Sequence, residues 1–284
     1  MKFTVHTSRS EAVCSTSGGK MISYTHDKIS CLLPADSEKL PVCFQTVSGQ
    51  KNNADGKEWR VISESDFASG FVFTPVLQMP EKVTLTLEDN TDTHKVSPCL
   101  FQLTHTYTVS DSGFAAKYTL YNRDKSPAAY RLDSEPVFCL PLPEGTTANE
   151  YRLEISAVDA VLTAENDGEN KINDFLRLDG SKDNIISLAD IVSDMTTLAV
   201  DEHQEKQIRL VSEKTGKGLQ IELVGFRSLT VQLYKNPNAS HMYLRILNYV
   251  PDEYAEPKTA AAHISEPSVP AGGDCTVGYV VTIL

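Results

Sequence analysis

The sequence predicts an all-β protein made of antiparallel sheets packed face to face. Three observations carry that prediction. Apolar residues recur with a period of two, short runs are separated by turn-forming residues, and strands follow one another without intervening helices. Parallel sheets need long crossovers, usually helical, so strands joined by short turns point to antiparallel pairing.

The elements follow in order. Met21–His26 is the first strand-like run. Val83-Thr84-Leu85-Thr86-Leu87 alternates cleanly, and Phe101, Leu103, His105, Tyr107 and Val109 share one face of the next run. Ser110-Asp111-Ser112-Gly113 is a turn leading into Phe114–Asn122. Further strands are predicted at Tyr151–Ser156, Gln207–Ser212, Leu219–Val224, Leu229–Tyr234, Met242–Val250 and Thr276–Leu284. Lys206 to Leu223 reads as a hairpin around Lys214-Thr215-Gly216-Lys217-Gly218. The one helical candidate is Leu188–Met195, and it is short. Ser156–Lys182, rich in Asp, Asn and Glu, reads as a long, partly ordered loop bordering a site. Residues 1–284 are therefore expected to form a single domain.

Charge and composition narrow the function classes. With 26 Lys and Arg against 38 Asp and Glu, the formal net charge is −12, which gives no electrostatic footprint for nucleic acid. No apolar run approaches the roughly 20 residues of a spanning helix, and the first residues lack a signal-peptide core, so a cytoplasmic location off the membrane is expected. Six scattered cysteines without a Cys-x-x-Cys spacing read as thiols, and the histidines show no zinc-ligand spacing, so neither a metal nor a cofactor is expected. Walker, Gly-x-Ser-x-Gly, Gly-x-Gly-x-x-Gly and His-Glu-x-x-His motifs are all missing.

Individual residues read more modestly. His105 on an apolar strand face is expected to be a hydrogen-bonded core histidine, and Trp59 a core residue. Glu135, in Asp133-Ser134-Glu135-Pro136-Val137-Phe138, is a carboxylate entering an apolar strand. Such a group needs a partner or a role.

An ordered series of short motifs is similar to the aldose 1-epimerase, or galactose mutarotase-like, family. It runs from Ser17-Gly18-Gly19-Lys20-Met21-Ile22-Ser23-Tyr24 to Pro41–Gly49, Leu85–Thr93, Pro98-Cys99-Leu100-Phe101, Gly113–Asn122, Ser134–Leu142 and Val269-Pro270-Ala271-Gly272. The resemblance spans the chain and implies one large antiparallel β-sandwich with a sugar cleft on a concave face. In that family a glutamate takes the C1 hydroxyl proton of a free hexose while a histidine donates to the ring oxygen, so the ring opens and recloses on the other face.

Transferred position by position, the family's first histidine falls on Ser69 and the arginine after it on Phe73. The second histidine falls on Glu135, an arginine on Gln50, and the substrate-binding aspartate on Asp194. For the glutamate two registers exist: the Glu256-Pro257 dipeptide, or, by length, Leu247-Asn248-Tyr249. A serine cannot donate a proton as an imidazole does at neutral pH. The resemblance thus implies a protein that binds a small sugar, a hexose or derivative, through Gln50, Ser69, Phe73, Glu135, Asp194 and Tyr249. Mutarotase activity is expected to be weak or absent. Two alternatives stand beside this: a divergent hexose epimerase (an isomerase) using Glu135 with Glu256 or Asp194 as its acid and base, and an interaction protein with a vestigial cleft.

Overall fold

The computed structural model describes residues 1–32, 42–45, 68–95, 99–129, 131–134, 137–141, 147–156, 159–165, 172–179, 184–189, 195–200, 206–225, 229–234, 241–247 and 268–284. Every strand pairing among them is antiparallel.

The chain opens with a four-stranded sheet, β1 (Lys2–His6), β2 (Ser10–Ser15), β3 (Lys20–His26) and β4 (Ile29–Ser30), paired in that order. A two-stranded ribbon joins β5 (Val42–Gln45) to a later strand, β11 (Arg131–Ser134). Between them come β6 (Thr74–Met79), β7 (Lys82–Glu88), β8 (Phe101–Ser110), β9 (Gly113–Asn122) and the short β10 (Ala128–Ala129). Next are β12 (Val137–Pro141), β13 (Tyr151–Ser156), β14 (Asp159–Glu165), β15 (Ile172–Asp179), β16 (Asn184–Ser187) and β17 (Met195–Val200). The chain closes with β18 (Lys206–Ser212), β19 (Gly218–Val224), β20 (Leu229–Tyr234), β21 (His241–Leu247), β22 (Ser268–Val269) and β23 (Asp274–Ile283).

Two large sheets dominate. One has nine strands in the order β16-β13-β18-β19-β23-β9-β8-β7-β6, the other six in the order β12-β21-β20-β17-β14-β15. The last strand, β23, sits inside the nine-stranded sheet between β19 and β9. Helix among the described residues is limited to 3-10 turns such as Ala68–Gly70, and none is long and apolar enough to cross a membrane.

The period-two pattern explains the core directly. On β8, Phe101, Leu103, His105, Tyr107 and Val109 are buried while the residues between them are half-exposed. Cross-strand register continues this face, so Leu85, His105, Tyr118 and Val277 form one row through β7, β8, β9 and β23. Phe138 of β12 is fully buried, with its ring centroid 6.4 Å from that of Phe114 on β9, so an aromatic pair joins the two large sheets. Burying one such ring contributes about 1.5–3 kcal/mol. The opposite face of the nine-stranded sheet is lined by threonines whose hydroxyls pair across strands: Thr84 with Thr106 at 3.2 Å, Thr86 with Thr104 at 3.1 Å, and Thr119 with Thr276 at 3.0 Å. The expected Lys206–Leu223 hairpin forms, with Lys206 paired to Leu223 and Val211 to Gly218.

Two local expectations are corrected. Within Ser156–Lys182, β14 and β15 pair with each other, and β14 also pairs with β17, so the stretch holds a hairpin of the six-stranded sheet. Its acidic residues interrupt the alternation that marks the other strands, and β15 is an edge strand, where polar side chains are tolerated. At the helical candidate, Leu188–Ala189 is a turn following β16 and Met195 already opens β17.

Candidate functional site

The segment that carries Ser69, one of the positions the resemblance points to, is anchored through the turn whose backbone carbonyl is that of Gly19. Ser17-Gly18-Gly19 turns the chain from β2 into β3, with Gly18 and Gly19 both in the left-handed region, at φ 70° and 59°. This turn is stitched to the segment that carries Ser69. Gly18 N–H donates to the Phe71 carbonyl at 2.9 Å, Phe73 N–H donates to the Thr16 carbonyl at 2.8 Å, and Ser17 and Val72 form an isolated bridge. Ser69 itself lies in the Ala68–Gly70 turn, which Phe71 N–H closes onto the Ala68 carbonyl at 3.3 Å.

On its other side the same turn is gripped by β8. His105 Nδ1 lies 2.7 Å from the Gly19 carbonyl oxygen, and the Tyr107 hydroxyl donates to that oxygen at 2.9 Å. A carbonyl can only accept, so Nδ1 carries the proton and Nε2 presents a bare lone pair. Nε2 is buried and, among the described residues, has no hydrogen-bond partner. Burial pushes the His105 pKa down to about 4, against the opposing pull of the Gly19 bond. The imidazole is therefore neutral at physiological pH. Around it stand Phe73 at a centroid distance of 4.6 Å, Tyr118 at 5.0 Å and Tyr107 at 6.4 Å. Burial also raises the Tyr107 hydroxyl well above the usual tyrosine range.

Phe73 is 1% exposed, with its ring lying against His105. Placed so, it is a wall of the core with no open face on which a sugar could stack. Its position follows from its strand context, because it directly precedes β6 and faces the apolar side of the nine-stranded sheet. Gln50, Glu135, Asp194, Tyr249 and Glu256 lie outside the described residues, as do Trp59 and the side chains of Ser69 and Leu247. The described residues beside three of them belong to the six-stranded sheet: Val137 pairs with Arg245, Met195 with Tyr234, and Leu247 with Thr230. Ser134, before Glu135, pairs with Val42 on β5.

Sequence reasoning places His105 in the core as a hydrogen-bonded histidine, and the structure finds it there. It misses the partner. Nothing in the spacing ties Gly19 to a residue 86 positions later, although the adjacent Gly18-Gly19 pair marks a turn that admits close backbone approach.

No family model matches the chain. The protein LacX of Lactococcus lactis is 25% identical over 238 residues, covering 75% of this chain and 77% of LacX. A galactose mutarotase-like protein from Lactobacillus casei superposes with a TM-score of 0.72 at 20% identity, covering 100% of both chains. A galactose mutarotase related enzyme from Lactobacillus acidophilus gives a TM-score of 0.72 at 17% identity, covering 100% of this chain and 97% of the other.

The fold is galactose mutarotase-like.

Within this galactose mutarotase-like fold, the Gly19 carbonyl is a junction of three elements: the N-terminal sheet, the Ser69 segment and the inner face of β8. The Gly19 carbonyl and its two donors are buried, and His105 is neutral, so they hold geometry and are not placed to exchange protons with a ligand.

Proposed function

We propose that this chain binds a small sugar, a hexose or derivative, in the cleft of its galactose mutarotase-like fold, as a single cytoplasmic domain over residues 1–284, with little or no anomer-exchange activity. One observation carries the reading. The fold likeness covers the whole chain, yet the positions that resemble the family's two histidine motifs hold Ser69 and Glu135. Hydroxyl recognition needs carboxylates, amides and hydroxyls, which Gln50, Ser69, Glu135 and Asp194 would supply, with Tyr249 as the aromatic surface. Proton transfer to a ring oxygen needs a positioned acid, which a serine does not provide. His105 does not replace the missing imidazole, because its Nδ1 is committed to Gly19 and its ring is buried.

A second reading is favoured by Glu135 itself. A carboxyl at a histidine position could serve as a general acid if burial raised its pKa, with Glu256 or Asp194 as the base. A vestigial cleft is the third reading, and the burial of Phe73 supports it.

Polarimetry on freshly dissolved α-glucose and α-galactose, beside calorimetric titration with a panel of hexoses and derivatives, separates the three. Binding with negligible catalysis is the expected result. Catalysis abolished by Glu135→Gln would establish the carboxylate mechanism instead, and neither binding nor catalysis would establish the vestigial cleft.

A further inference from the structure

The geometry points to His105 as a positioning residue for the candidate sugar site: by holding the Gly19 carbonyl and backing the Phe73 ring, it fixes where the Ala68–Phe71 turn, and Ser69 within it, stands. The inference rests on the sugar-binding reading above, and it assigns a role to a residue that contacts no ligand.

Four observations converge. The Gly19 carbonyl accepts from His105 Nδ1 at 2.7 Å and from the Tyr107 hydroxyl at 2.9 Å, so the turn is fixed from the core side by two donors of one strand. From that turn, two backbone hydrogen bonds, which together make the Ser17–Val72 bridge, run outward to residues 71 and 73, and neither involves β8 directly. Gly19 leaves no slack, because a Cβ there would lie 2.7 Å from the Phe73 ring and 2.8 Å from His105 Nδ1. Finally, the imidazole sits fully buried, and among the described residues Nε2 has no hydrogen-bond partner.

That last point separates positioning from filling. A buried, unsatisfied ring nitrogen is unfavourable, and a phenylalanine would fill the same space without the orphaned atom. What phenylalanine lacks is the Nδ1 donor. Among the described contacts, that donor is the feature of His105 that packing alone does not require. It determines the height of the Gly19 carbonyl over the sheet, and hence of the backbone bonded to residues 71 and 73.

The test uses the full-length protein and three variants. His105→Phe keeps the ring and removes the donor. His105→Asn keeps a donor within reach of Gly19 and shortens the side chain. Leu210→Ala, a buried residue on β18 away from this junction, controls for general loss of stability. Amide hydrogen exchange is followed in the peptide covering Ala68–Thr74 and in the Lys206–Leu223 hairpin as an internal reference. Sugar affinity is measured on the same samples by titration with whichever hexose of the panel the parent protein binds.

Expected are exchange at Ala68–Thr74 faster by about tenfold or more in His105→Phe, with the hairpin unchanged, and near-parent exchange in His105→Asn. Affinity should fall about tenfold in His105→Phe and recover in His105→Asn, while Leu210→Ala binds as the parent does. If His105→Phe fails to fold, His105→Leu, which also removes the donor from a buried apolar position, gives the same readout. Equal exchange at Ala68–Thr74 in parent and His105→Phe overturns the inference. So does faster exchange without any change in affinity. A parent protein that binds no sugar in the panel overturns the proposed function, and the exchange result alone then decides whether His105 holds the turn.

Discussion

His105 and Tyr107, on the same face of β8, both donate to the carbonyl of Gly19, at 2.7 and 2.9 Å. Two donors on one buried acceptor satisfy both of its lone pairs, so the junction is complete on the carbonyl side, while among the described residues His105 Nε2 finds no partner.

Burial places the folded-state pKa of His105 at about 4, below the ordinary value of 6.5. The unfolded chain thus binds a proton here more readily than the folded one. The contribution of neutral His105 is fully present above pH 6.5 and is lost as pH falls through about 4, amounting to about 3 kcal/mol. Urea denaturation of parent and His105→Phe across this window should show the parent losing stability more steeply. Parallel curves would exclude the assignment.

Gly19→Ala should be more damaging than a left-handed backbone alone explains. Gly216 has a similar φ of +69°, but a Cβ there would meet no atom within 4 Å, so Gly216→Ala should cost about 1 kcal/mol from backbone conformation. Gly19→Ala adds collisions with Phe73 and His105, for a total of about 2–4 kcal/mol. Denaturation midpoints of the two variants provide the comparison. Equal losses would mean that the Phe73 ring moves aside freely.

Asn122 is the corresponding fixture at the other end of β9. Its side-chain amide nitrogen lies 2.9 Å from the carbonyl of Ser126, 3.0 Å from that of Val269 and 3.1 Å from that of Pro270, and its side-chain oxygen accepts from Asp124 N–H at 2.9 Å. Asn122→Asp would set a buried carboxylate against those carbonyls, and a loss of about 3 kcal/mol or more is expected. Thermal unfolding measures it; a melting temperature equal to the parent's would show that these bonds are not needed.

Anomer exchange should be close to the uncatalysed rate. A positioned acid or base is worth about 10²–10⁴ in rate each, so replacing both histidine positions removes most of the advantage such a site has. A sugar that binds should still stabilise the folded protein, by about 2.7 kcal/mol at 100-fold excess over its Kd, and so raise the unfolding midpoint. Thermal shift with the hexose panel reads this without any assumption about catalysis. A normal mutarotase rate in polarimetry would reject the prediction.

How far the sequence reaches depends on burial. β8, β9 and β19 each bury one face and show clean alternation, so their positions and pairing are legible. β6 is exposed along its whole length and β1 is mostly exposed, so neither carries a pattern to read. At the Leu188–Met195 candidate, Leu188, Ile191, Val192 and Met195 match helical spacing, yet Leu188 stands in a turn and Met195 opens β17, while residues 190–194 lie outside the described ones. At the candidate site, residue types are legible through motif order alone. The Gly19 junction is not, because hydrogen bonds between residues far apart in the chain leave no local period.

The position of β23 orders the assembly of the molecule in time. It follows every other described strand in the chain, yet it lies between β19 and β9, which do not pair with each other. Until Asp274–Ile283 is in place, the nine-stranded sheet exists as two four-stranded pieces, β16-β13-β18-β19 and β9-β8-β7-β6, each exposing an inner strand edge. Such edges are templates for mispairing. A growing chain therefore carries both open edges until Asp274–Ile283 has been made, and that strand closes them in one step.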